Sequence, residues 1–405
     1  MSLPPLATAR PTRALRADDL AAPRPVYVVW ELTLRCDLSC HHCGSRAGKA
    51  RDDELSTAEA LDVVRQLAAL GTREISLIGG EAYLRADFLD VVRAIRAAGI
   101  VCAVTTGGRA VDAPLAAAMA SAGVQQASVS VDGLAPTHDR LRGVRGSHDA
   151  AIRTMHACAA AGIRVSANTQ IGALNRRELP AVLDELVAAG ARSWQVQLTA
   201  ALGRAADNPD LILQPFDLLE LFPVLLALKH RAAAAGVWLM PANNVGYFGP
   251  YEDDLRATPW GESAHWQGCL AGRASLGLES DGTLKACPSL QTDAYAGGNV
   301  RETPLRELWE RSPRIGFTRA RGTEDLWGFC AGCYYADVCQ GGCSYTAHAL
   351  FGRRGNNPYC HHRALTLAAR GRRERLVRVA AAPGRPFDHG LFDLVEEDLP
   401  PDHGA

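Results

Sequence analysis

The sequence predicts an α/β fold: a partial (β/α)6 barrel of the TIM type, followed by a smaller cysteine-rich domain. Two observations lead to this prediction. From about residue 26 to residue 236, short β-rich runs alternate with stretches of helical period, and a glycine closes most of the helices. After about residue 250 the alternation stops, and Gly, Pro and Cys become frequent. Six or more parallel β/α units are enough to form a curved, partly closed barrel.

The individual elements follow one another without a break. The predicted strands are VYVVWELTL, EISLIGG, IVCAVTTGG, QASVSVDG, RVSANTQIG and SWQVQLT. The amphipathic helical stretches between and after them are STAEALDVVRQLAALG, ADFLDVVRAIRAAG, DAPLAAAMASAG, HDAAIRTMHACAAAG, RELPAVLDELVAAG and FDLLELFPVLLALKHRAAAAG. In the cysteine-rich part, SLGLESDGTLKACP predicts a hairpin that turns on Asp281-Gly282.

Four regions are expected along the chain. Residues 1–24 are rich in Pro, Ala and Arg without apolar periodicity, which predicts a disordered tail. Residues 25–250 form the barrel and residues 251–365 the cysteine-rich domain. Residues 366–405 are expected to hold a C-terminal helix and a loosely held acidic tail that ends in VEEDLPPDHGA.

Composition excludes several classes of function. The 405 residues carry a formal net charge of -1, which gives no concentrated cationic field for nucleic acid or an anionic membrane. The longest apolar stretch, around residues 221–228, is much shorter than the roughly 20 residues that cross a bilayer. The arginines near the N-terminus precede no apolar segment, so no secretion signal is visible. We therefore expect a cytoplasmic protein with neither nucleic acid nor membrane as a partner.

Twelve cysteines in a chain without an export signal indicate metal binding rather than disulfides. Cys102 and Cys158 lie in apolar stretches and are predicted to be small buried hydrophobic residues. The other ten fall into an N-terminal triplet and a C-terminal group of seven. They are Cys36, Cys40 and Cys43, and then Cys269, Cys287, Cys330, Cys333, Cys339, Cys343 and Cys360.

The triplet CDLSCHHC places three thiols on one loop directly after the first predicted strand. The carboxyl ends of barrel strands converge at one mouth, where such folds carry their chemistry. A cubane iron-sulfur cluster needs four ligands, so three thiolates leave one iron open to a substrate or cofactor. A closed zinc site, with His41 or His42 as the fourth ligand, is the alternative.

This CX3CX2C motif resembles that of the radical S-adenosylmethionine (SAM) superfamily. At the end of the next strand, Gly79-Gly80-Glu81 matches the family's GGE motif, whose backbone and carboxylate hold the methionine ammonium of SAM. The resemblance implies a 4Fe-4S cluster on Cys36, Cys40 and Cys43, with SAM on the open iron. A GGE motif one β/α unit downstream of the triplet weighs against zinc.

The resemblance also implies further SAM contacts. Residues at matching positions are Ser130, Arg142, His42 and Leu202. Their alternatives are a strand-end hydroxyl for Ser130 and a surface ion pair with Asp139 for Arg142. Asn168 and Gln197 lie on strands that could face the barrel interior, although core hydrogen bonding explains them as well.

The seven C-terminal cysteines resemble the SPASM pattern: CX9-15GX4C, then CX2CX5CX3C, then a final Cys. The resemblance implies two auxiliary 4Fe-4S clusters. The outer cluster would be held by Cys330, Cys333, Cys339 and Cys360, and the inner by Cys269, Cys287 and Cys343. The inner set is one ligand short, and His265, a water or the substrate are the candidates for the fourth position.

As a radical SAM enzyme with a SPASM domain, the protein would reductively cleave SAM to a 5'-deoxyadenosyl radical and use it on an unactivated carbon in a dry cavity. Most such relatives modify ribosomal peptides, so a precursor peptide is the expected substrate, oxidatively crosslinked or similarly matured. Pro288 follows Cys287 where sulfatase-maturing relatives carry a catalytic Asp, which argues against that activity.

An electron donor such as flavodoxin or ferredoxin is an expected partner. Since no leader-binding domain fits ahead of Val26, a separate protein or the SPASM region is expected to hold a peptide leader. The alternatives are side-chain modification of a haem or other tetrapyrrole precursor, and an iron-sulfur electron carrier that makes no radical.

Overall fold

The computed structural model of the chain describes residues 11–260 and 265–400. The strands are β1 (Tyr27–Thr33), β2 (Glu74–Gly79), β3 (Val101–Thr106), β4 (Gln126–Ser130), β5 (Arg164–Ile171), β6 (Ser193–Leu198), β7 (Trp238–Pro241), β8 (Ser275–Leu278), β9 (Leu284–Lys285), β10 (Arg372–Ala380) and β11 (Leu391–Asp398).

The helices of the barrel region are α1 (Ala17–Ala21), α2 (Thr57–Ala69), α3 (Phe88–Ala97), α4 (Ala113–Ala122), α5 (Ala135–Arg142), α6 (Ser147–Ala160), α7 (Leu179–Ala188), α8 (Arg204–Asp207) and α9 (Leu218–Ala234). Those of the C-terminal region are α10 (Glu252–Arg256), α11 (Thr292–Tyr295), α12 (Leu305–Arg311), α13 (Ala336–Cys339), α14 (Ser344–Phe351) and α15 (His361–Ala368).

The main sheet has the strand order β7-β6-β5-β4-β3-β2-β1-β8-β9, and β1 to β7 pair in parallel with their neighbours. Alternate residues of β1 face opposite ways, as the period of a strand requires. Val28, Trp30 and Leu32 are buried in the hydrophobic core, whereas Tyr27 and Val29 line an interior cavity. The predicted partial barrel is confirmed.

Four elements of the barrel region are absent from the sequence prediction, and two of them are the short helices α1, which lies in the predicted tail, and α8. Strand β7 has only four residues, too few for a period to show, and helix α5 has the polar sequence APTHDRLR. Each of the other predicted strands and helices is present within about three residues of its expected ends. Cys102 and Cys158 are fully buried in the hydrophobic core, as predicted.

The predicted hairpin is formed by β8 and β9, and Gly282 takes a φ of +92° in its turn. Strand β8 also pairs in parallel with β1, from Tyr27↔Ser275 to Trp30↔Leu278. The cysteine-rich region therefore continues the barrel sheet beyond its first strand.

The prediction of a disordered tail is wrong for residues 11–24; residues 1–10 lie outside the described part of the chain. Arg73 donates hydrogen bonds to the carbonyls of Thr12 (3.0 Å) and Ala14 (2.7 Å) and to the buried carboxylate of Asp19 (2.7 Å). Residues 13–15 line the interior cavity. Because Arg13 lies beside Tyr27 and Glu74, at the start of β1 and β2, this segment closes the amino-terminal end of the barrel.

The prediction of a C-terminal helix and a loosely held acidic tail in residues 366–405 is also wrong for the described residues, since the last helix, α15, ends at Ala368 and two strands follow it. Strands β10 and β11 form an antiparallel pair in which Arg372 faces Asp398 and Arg373 faces Glu397. Opposite charges on facing residues stabilise such a pair. The acidic residues at the end of the chain are therefore paired with arginines of β10, which their own composition does not reveal. Residues 401–405 lie outside the described part.

By length and composition alone, the helical stretch Pro209–Ala234 could cross a membrane. Within it, Leu221, Leu225 and Leu228 of α9 are buried in the hydrophobic core. A core helix of this kind is as apolar as a membrane span.

Candidate functional site

The three N-terminal thiols lie on the loop after β1, which returns on itself through a hydrogen bond from the amide of Cys36 to the carbonyl of Gly48 (3.0 Å). Two of the sulfurs accept hydrogen bonds from backbone amides. The amide of Leu38 donates to Sγ of Cys36 (3.4 Å), and the amide of Ala47 donates to Sγ of Cys43 (3.4 Å). Nη1 of Arg142 lies 3.7 Å from Sγ of Cys40. Donors of this kind stabilise thiolate sulfur.

Burial, the nearby Glu81 carboxylate and the other two thiols together raise the pKa of the Cys36 thiol to about 12. Burial likewise raises the pKa of Cys40. Thiolates that repel one another are stabilised together by a cation that all of them bind. This donor set therefore fits a metal cluster.

The glycines of the GGE motif allow a close backbone contact between β2 and the cysteine loop. The amide of Gly80 donates to the carbonyl of Thr33 (2.8 Å), and that of Glu81 to the carbonyl of Arg35 (2.8 Å). A Cβ on Gly80 would lie 2.2 Å from the Arg35 carbonyl oxygen and 2.7 Å from Cβ of Cys36. Glycine is required here because any larger residue would push the cysteine loop away.

The carboxylate of Glu81 is held beside Cys36, with a ligand atom of each within 4.8 Å of the other. It accepts hydrogen bonds from the hydroxyl of Thr106 and from the amide of Gly107 (2.6 Å to Oε1). Burial raises the pKa of Glu81 to about 7, against the effect of these hydrogen bonds. A buried carboxylate next to the predicted open iron is suited to an ammonium group.

Asp132 is a functional candidate that the sequence analysis missed. Its Oδ2 lies 2.5 Å from Nη2 of Arg142 and 3.0 Å from Nε2 of His42, and all three side chains are buried. Burial acts to raise the pKa of Asp132, but Arg142 and His42 outweigh it and hold the pKa below its usual range. The signal was an acidic residue two positions after β4, at the mouth of the barrel.

Arg142 is thus not on the surface, and the alternative ion pair with Asp139 is wrong. Asp139 instead accepts hydrogen bonds at the start of α6, from the amides of Gly146 (2.5 Å) and His148 (2.9 Å). Nε of Arg142 is buried and has no hydrogen-bond partner among the described residues. A donor is therefore left over for a ligand at the loop.

Ser130 ends β4 and is buried. Leu202 packs against Gly44, directly after the third cysteine, since a Cβ on Gly44 would lie 3.0 Å from Cδ2 of Leu202. His42, Gly79 and Leu202 all line the interior cavity. The structure therefore brings the predicted SAM contacts to one end of the barrel, around the cysteine loop.

The cavity has a volume of about 850 Å³. Four carboxamides on two adjacent strands, which we call the amide wall, line it: Asn168 and Gln170 of β5, and Gln195 and Gln197 of β6. Asn168 pairs with Gln195 and Gln170 with Gln197 in the register of the sheet. None of the four side chains hydrogen-bonds to another described residue, and Oδ1 of Asn168 is buried. Core hydrogen bonding, the alternative for Asn168 and Gln197, is wrong.

The loop between β10 and β11 reaches the mouth of the cavity. Phe387 lines the cavity, and its amide donates to the carbonyl of Gly44 (3.1 Å). Oδ1 of Asp388 accepts a hydrogen bond from Nε of Arg46 (2.7 Å). These residues were missed because the segment was predicted as a tail.

The C-terminal thiols fall into the two sets that the resemblance to the SPASM pattern implies. Cys330, Cys333, Cys339 and Cys360 line one small pocket, together with aromatic rings that include those of Phe248 and Tyr335. Their neighbourhood raises the pKa of Cys339 to about 12, through burial and then through Cys330 and Cys333.

The inner thiols also lie together. Burial and the charges of Cys269 and Cys287 together raise the pKa of Cys343 to about 12. Arg321 lies near Cys269, and its buried Nε and Nη2 have no hydrogen-bond partner among the described residues. A buried cation with spare donors fits an anionic cluster. His265 is exposed, and its ring lies 6.0 Å from that of Phe248, which lines the outer pocket.

Comparison with known proteins finds two matching family models. The radical SAM superfamily model matches residues 30–186, and the SPASM model, an iron-sulfur cluster-binding domain, matches residues 269–334.

Curated relatives include the AdoMet-dependent heme synthase of Nitratidesulfovibrio vulgaris, 28% identical, with 83% of this chain and 92% of the relative covered. The Fe-coproporphyrin III synthase of Methanosarcina barkeri is 30% identical, over 84% of this chain and 88% of the relative. The mycofactocin maturase MftC of Mycobacterium ulcerans is 28% identical, over 79% of this chain and 83% of the relative. A solved structure, Streptococcus suis SuiB bound to its precursor peptide SuiA, has a TM-score of 0.62 at 18% identity, over 84% of this chain and 75% of that one.

Proposed function

Because the chain belongs to the radical SAM superfamily and carries a C-terminal SPASM domain, we propose that this radical SAM enzyme oxidatively modifies a ribosomally made peptide. The family implies iron-sulfur clusters and SAM, and the donor sets described above fit them. The amide wall is the observation that carries the choice of a peptide.

Carboxamides match a peptide backbone because each offers both a hydrogen-bond donor and an acceptor. The four groups of the amide wall face the cavity without partners among the described residues. Oδ1 of Asn168 is buried, and all four side chains are half-buried at the cavity surface, so a ligand that displaces water from the cavity has to supply their hydrogen bonds. An extended peptide lying along β5 and β6 would meet the pair Asn168 and Gln195 at one position, and the pair Gln170 and Gln197 two residues further on.

The charge of the cavity supports the same choice. Among the described lining residues, Arg13 is the only Lys or Arg, and it lies 3.7 Å from Glu74 at the closed end of the barrel. A tetrapyrrole precursor carries several carboxylates, which need cationic partners when they leave water. Similarity to tetrapyrrole enzymes nevertheless makes such a compound the necessary comparison in the test.

We assign the first cluster to Cys36, Cys40 and Cys43. Glu81 and the GGE backbone would receive the SAM ammonium, Arg142 its carboxylate, and Ser130, His42 and Leu202 its nucleoside. When bound, the cluster and SAM supply a carbon radical that takes hydrogen from an unactivated carbon. The chain's own residues would orient SAM at one end of the cavity.

We assign the two C-terminal thiol sets to auxiliary clusters that receive an electron from the substrate. The partners would be the precursor peptide, an electron donor of the flavodoxin or ferredoxin class and, for the leader, a separate binding protein, all in the cytoplasm.

The test is anaerobic reconstitution with iron and sulfide, followed by dithionite and SAM. The substrates offered are the short peptides encoded beside the gene and, separately, Fe-coproporphyrin III. We expect 5'-deoxyadenosine in all assays and a mass loss of about two hydrogens in a peptide. Turnover of the porphyrin but of no peptide would contradict the proposal, and a brown protein that forms no 5'-deoxyadenosine would be an electron carrier.

A variant pair tests the amide wall itself. The double variant Gln195→Leu/Gln197→Leu should raise the KM for the peptide at least tenfold and leave 5'-deoxyadenosine formation without substrate unchanged. Gln126→Leu, at the start of β4 and outside the cavity, is the control and should change neither.

A further inference from the structure

Glu31 is the only carboxylate among the described residues that line the cavity. It lies on β1 opposite Ile78 of β2, one residue before the GGE motif, so it sits directly inside the predicted SAM end of the barrel. Ile78 and Gly79 are neighbours on β2, so the position opposite Glu31 lies only about 3.3 Å along the strand from the GGE motif.

The two oxygens of Glu31 differ. Oε1 takes all the hydrogen bonds that the described residues donate to this side chain, from Nη2 of Arg51 (3.1 Å) and from the hydroxyl of Ser280 (3.2 Å) among others. Oε2 receives none of them, and it is not sealed from the cavity. The side chain is therefore fixed by one oxygen and presents the other to a ligand.

The fixed side belongs to a buried charge network. Nη2 of Arg51 also lies 2.8 Å from Oε2 of Glu279, and Nζ of Lys285 lies 2.7 Å from Oε1 of Glu279. Glu279 directly follows β8 and Lys285 is the last residue of β9, so both belong to the hairpin. The network thus joins the barrel to the cysteine-rich region next to the cavity.

We propose that Oε2 of Glu31 accepts the proton released when the substrate radical is oxidised in this cavity. The inference rests on the proposed function. Loss of a hydrogen atom from a substrate C–H bond leaves a carbon radical and 5'-deoxyadenosine. Bond formation between that carbon and an X–H group of the substrate, with X being sulfur, oxygen or nitrogen, releases one electron and one proton. The electron reduces an oxidised auxiliary iron-sulfur cluster, and the proton goes to Glu31.

The electrostatics of the site suit this role. Burial raises the pKa of Glu31 to about 7; Arg51 acts to lower it, Glu279 to raise it and Lys285 to lower it. A carboxylate with a pKa near neutral both accepts a proton and releases it again at neutral pH. Since the ionised form is the acceptor, product formation should rise with pH through about 7.

Other titratable groups along the cavity are less suited. His42 is turned towards Asp132, and Tyr27 lies at the closed end beside Arg13. Burial raises the pKa of Tyr345 above its ordinary value, which disfavours its ionised form. Among the described lining residues, Glu31 therefore combines an ionisable oxygen with access to the substrate.

The test compares Glu31→Gln with Glu279→Gln, which makes the same change in the same network but outside the cavity. Reconstituted proteins are matched for iron content and SAM binding. We expect Glu31→Gln to form 5'-deoxyadenosine at a rate within twofold of the wild-type rate. The amount of product per 5'-deoxyadenosine should fall at least tenfold. The rise of product formation with pH through about 7 should disappear. Glu279→Gln should keep the wild-type ratio, and Glu31→Asp, which keeps the charge, should restore part of it.

An equal fall in both glutamine variants, or no fall in Glu31→Gln, would overturn the inference. If the wild-type enzyme modifies no peptide, the proposed function fails. The ratio of product to 5'-deoxyadenosine is then measured in the same variants with whichever substrate is turned over. Infrared difference spectra of the unreconstituted wild-type and Glu31→Gln proteins give a readout without turnover. A Glu31 carboxyl that is already ionised at pH 5 also overturns the inference.

Discussion

Nη2 of Arg142 lies 2.5 Å from Oδ2 of Asp132 at the mouth of the barrel. The same oxygen lies 3.0 Å from Nε2 of His42, inside the cysteine loop. One buried carboxylate therefore fixes two side chains that are proposed to touch SAM, one from α5 and one from the loop. Asp132 itself is a positioning residue, since it acts through its two partners.

Asp132→Asn should weaken SAM binding at least tenfold, equivalent to about 1.4 kcal/mol or more, because Arg142 and His42 lose their common anchor. The measurement is the Kd for SAM of the reconstituted protein, by equilibrium dialysis. Asp139→Asn is the control, since Asp139 caps α6 and does not contact Arg142. An unchanged Kd in Asp132→Asn would show that the two side chains hold their places without it.

The sequence was sufficient for the barrel because its pattern is local, and for the thiol sets because the resemblance to the SPASM pattern supplied them. The alternation of strand and helix is periodic, and Cys330, Cys333 and Cys339 come together within one short segment. Partners distant in sequence were not predictable in this way. Asp388 reaches Arg46 across 342 positions, and Glu31 meets Ser280 across 249. No local pattern marks either pair.

Composition misled the prediction at both ends of the chain. A Pro- and Arg-rich start and an acidic end indicate disorder when each is considered alone. Each has a folded partner in the structure: Asp19 pairs with Arg73, and Asp398 faces Arg372. A highly charged segment is unlikely to form a hydrophobic core of its own. It can still fold by pairing with residues of opposite charge on another part of the chain.

Gly80→Ala should disrupt the cysteine loop. Its Cβ would lie 2.2 Å from the carbonyl oxygen of Arg35, so the backbone has to move, and such overpacking costs about 1–3 kcal/mol of unfolding free energy. We also expect less iron per chain after reconstitution, because Cys36 is displaced. Urea unfolding of the unreconstituted protein and iron analysis measure the two effects.

Gly48→Ala is the matched control for that change, since a Cβ at Gly48 meets nothing within 4 Å and the residue lies on the same loop. Its stability and iron content should equal those of the wild type. If both variants lose iron to the same extent, the loop is sensitive to any substitution, and the close contact at Gly80 is not the cause.

Asp388→Ala should loosen the loop over the cavity mouth. Its carboxylate is bound by Arg46 (2.7 Å) and by the amide of Arg385 (2.9 Å), so its removal frees residues 381–390. We expect faster hydrogen-deuterium exchange in that segment, measured by mass spectrometry, with exchange in β10 unchanged. Asp393→Ala, an exposed change on β11, should have no effect. Equal exchange in the wild type and Asp388→Ala would mean that Phe387 alone holds the loop.

The closure of the barrel's amino-terminal end should depend on the ionised form of Asp19. Burial acts to raise the pKa of Asp19, but its hydrogen bonds with Arg73 and with the amide of Arg16 outweigh burial and hold the pKa below its ordinary value. A lowered pKa stabilises the folded segment above the unfolded pKa, near 3.8. That contribution is lost as the pH falls through the folded value.

Asp19→Asn removes the charge at every pH, so hydrogen-deuterium exchange of residues 11–24 at pH 7 should become at least tenfold faster. Asp18→Asn, at the exposed neighbouring position, should exchange like the wild type. A protein without clusters is used, so that acid lability of the clusters does not enter. Wild-type exchange, corrected for the intrinsic rate, should approach that of Asp19→Asn only below about pH 4. The prediction fails if Asp18→Asn and Asp19→Asn exchange alike, since the segment would then be held without the buried pair.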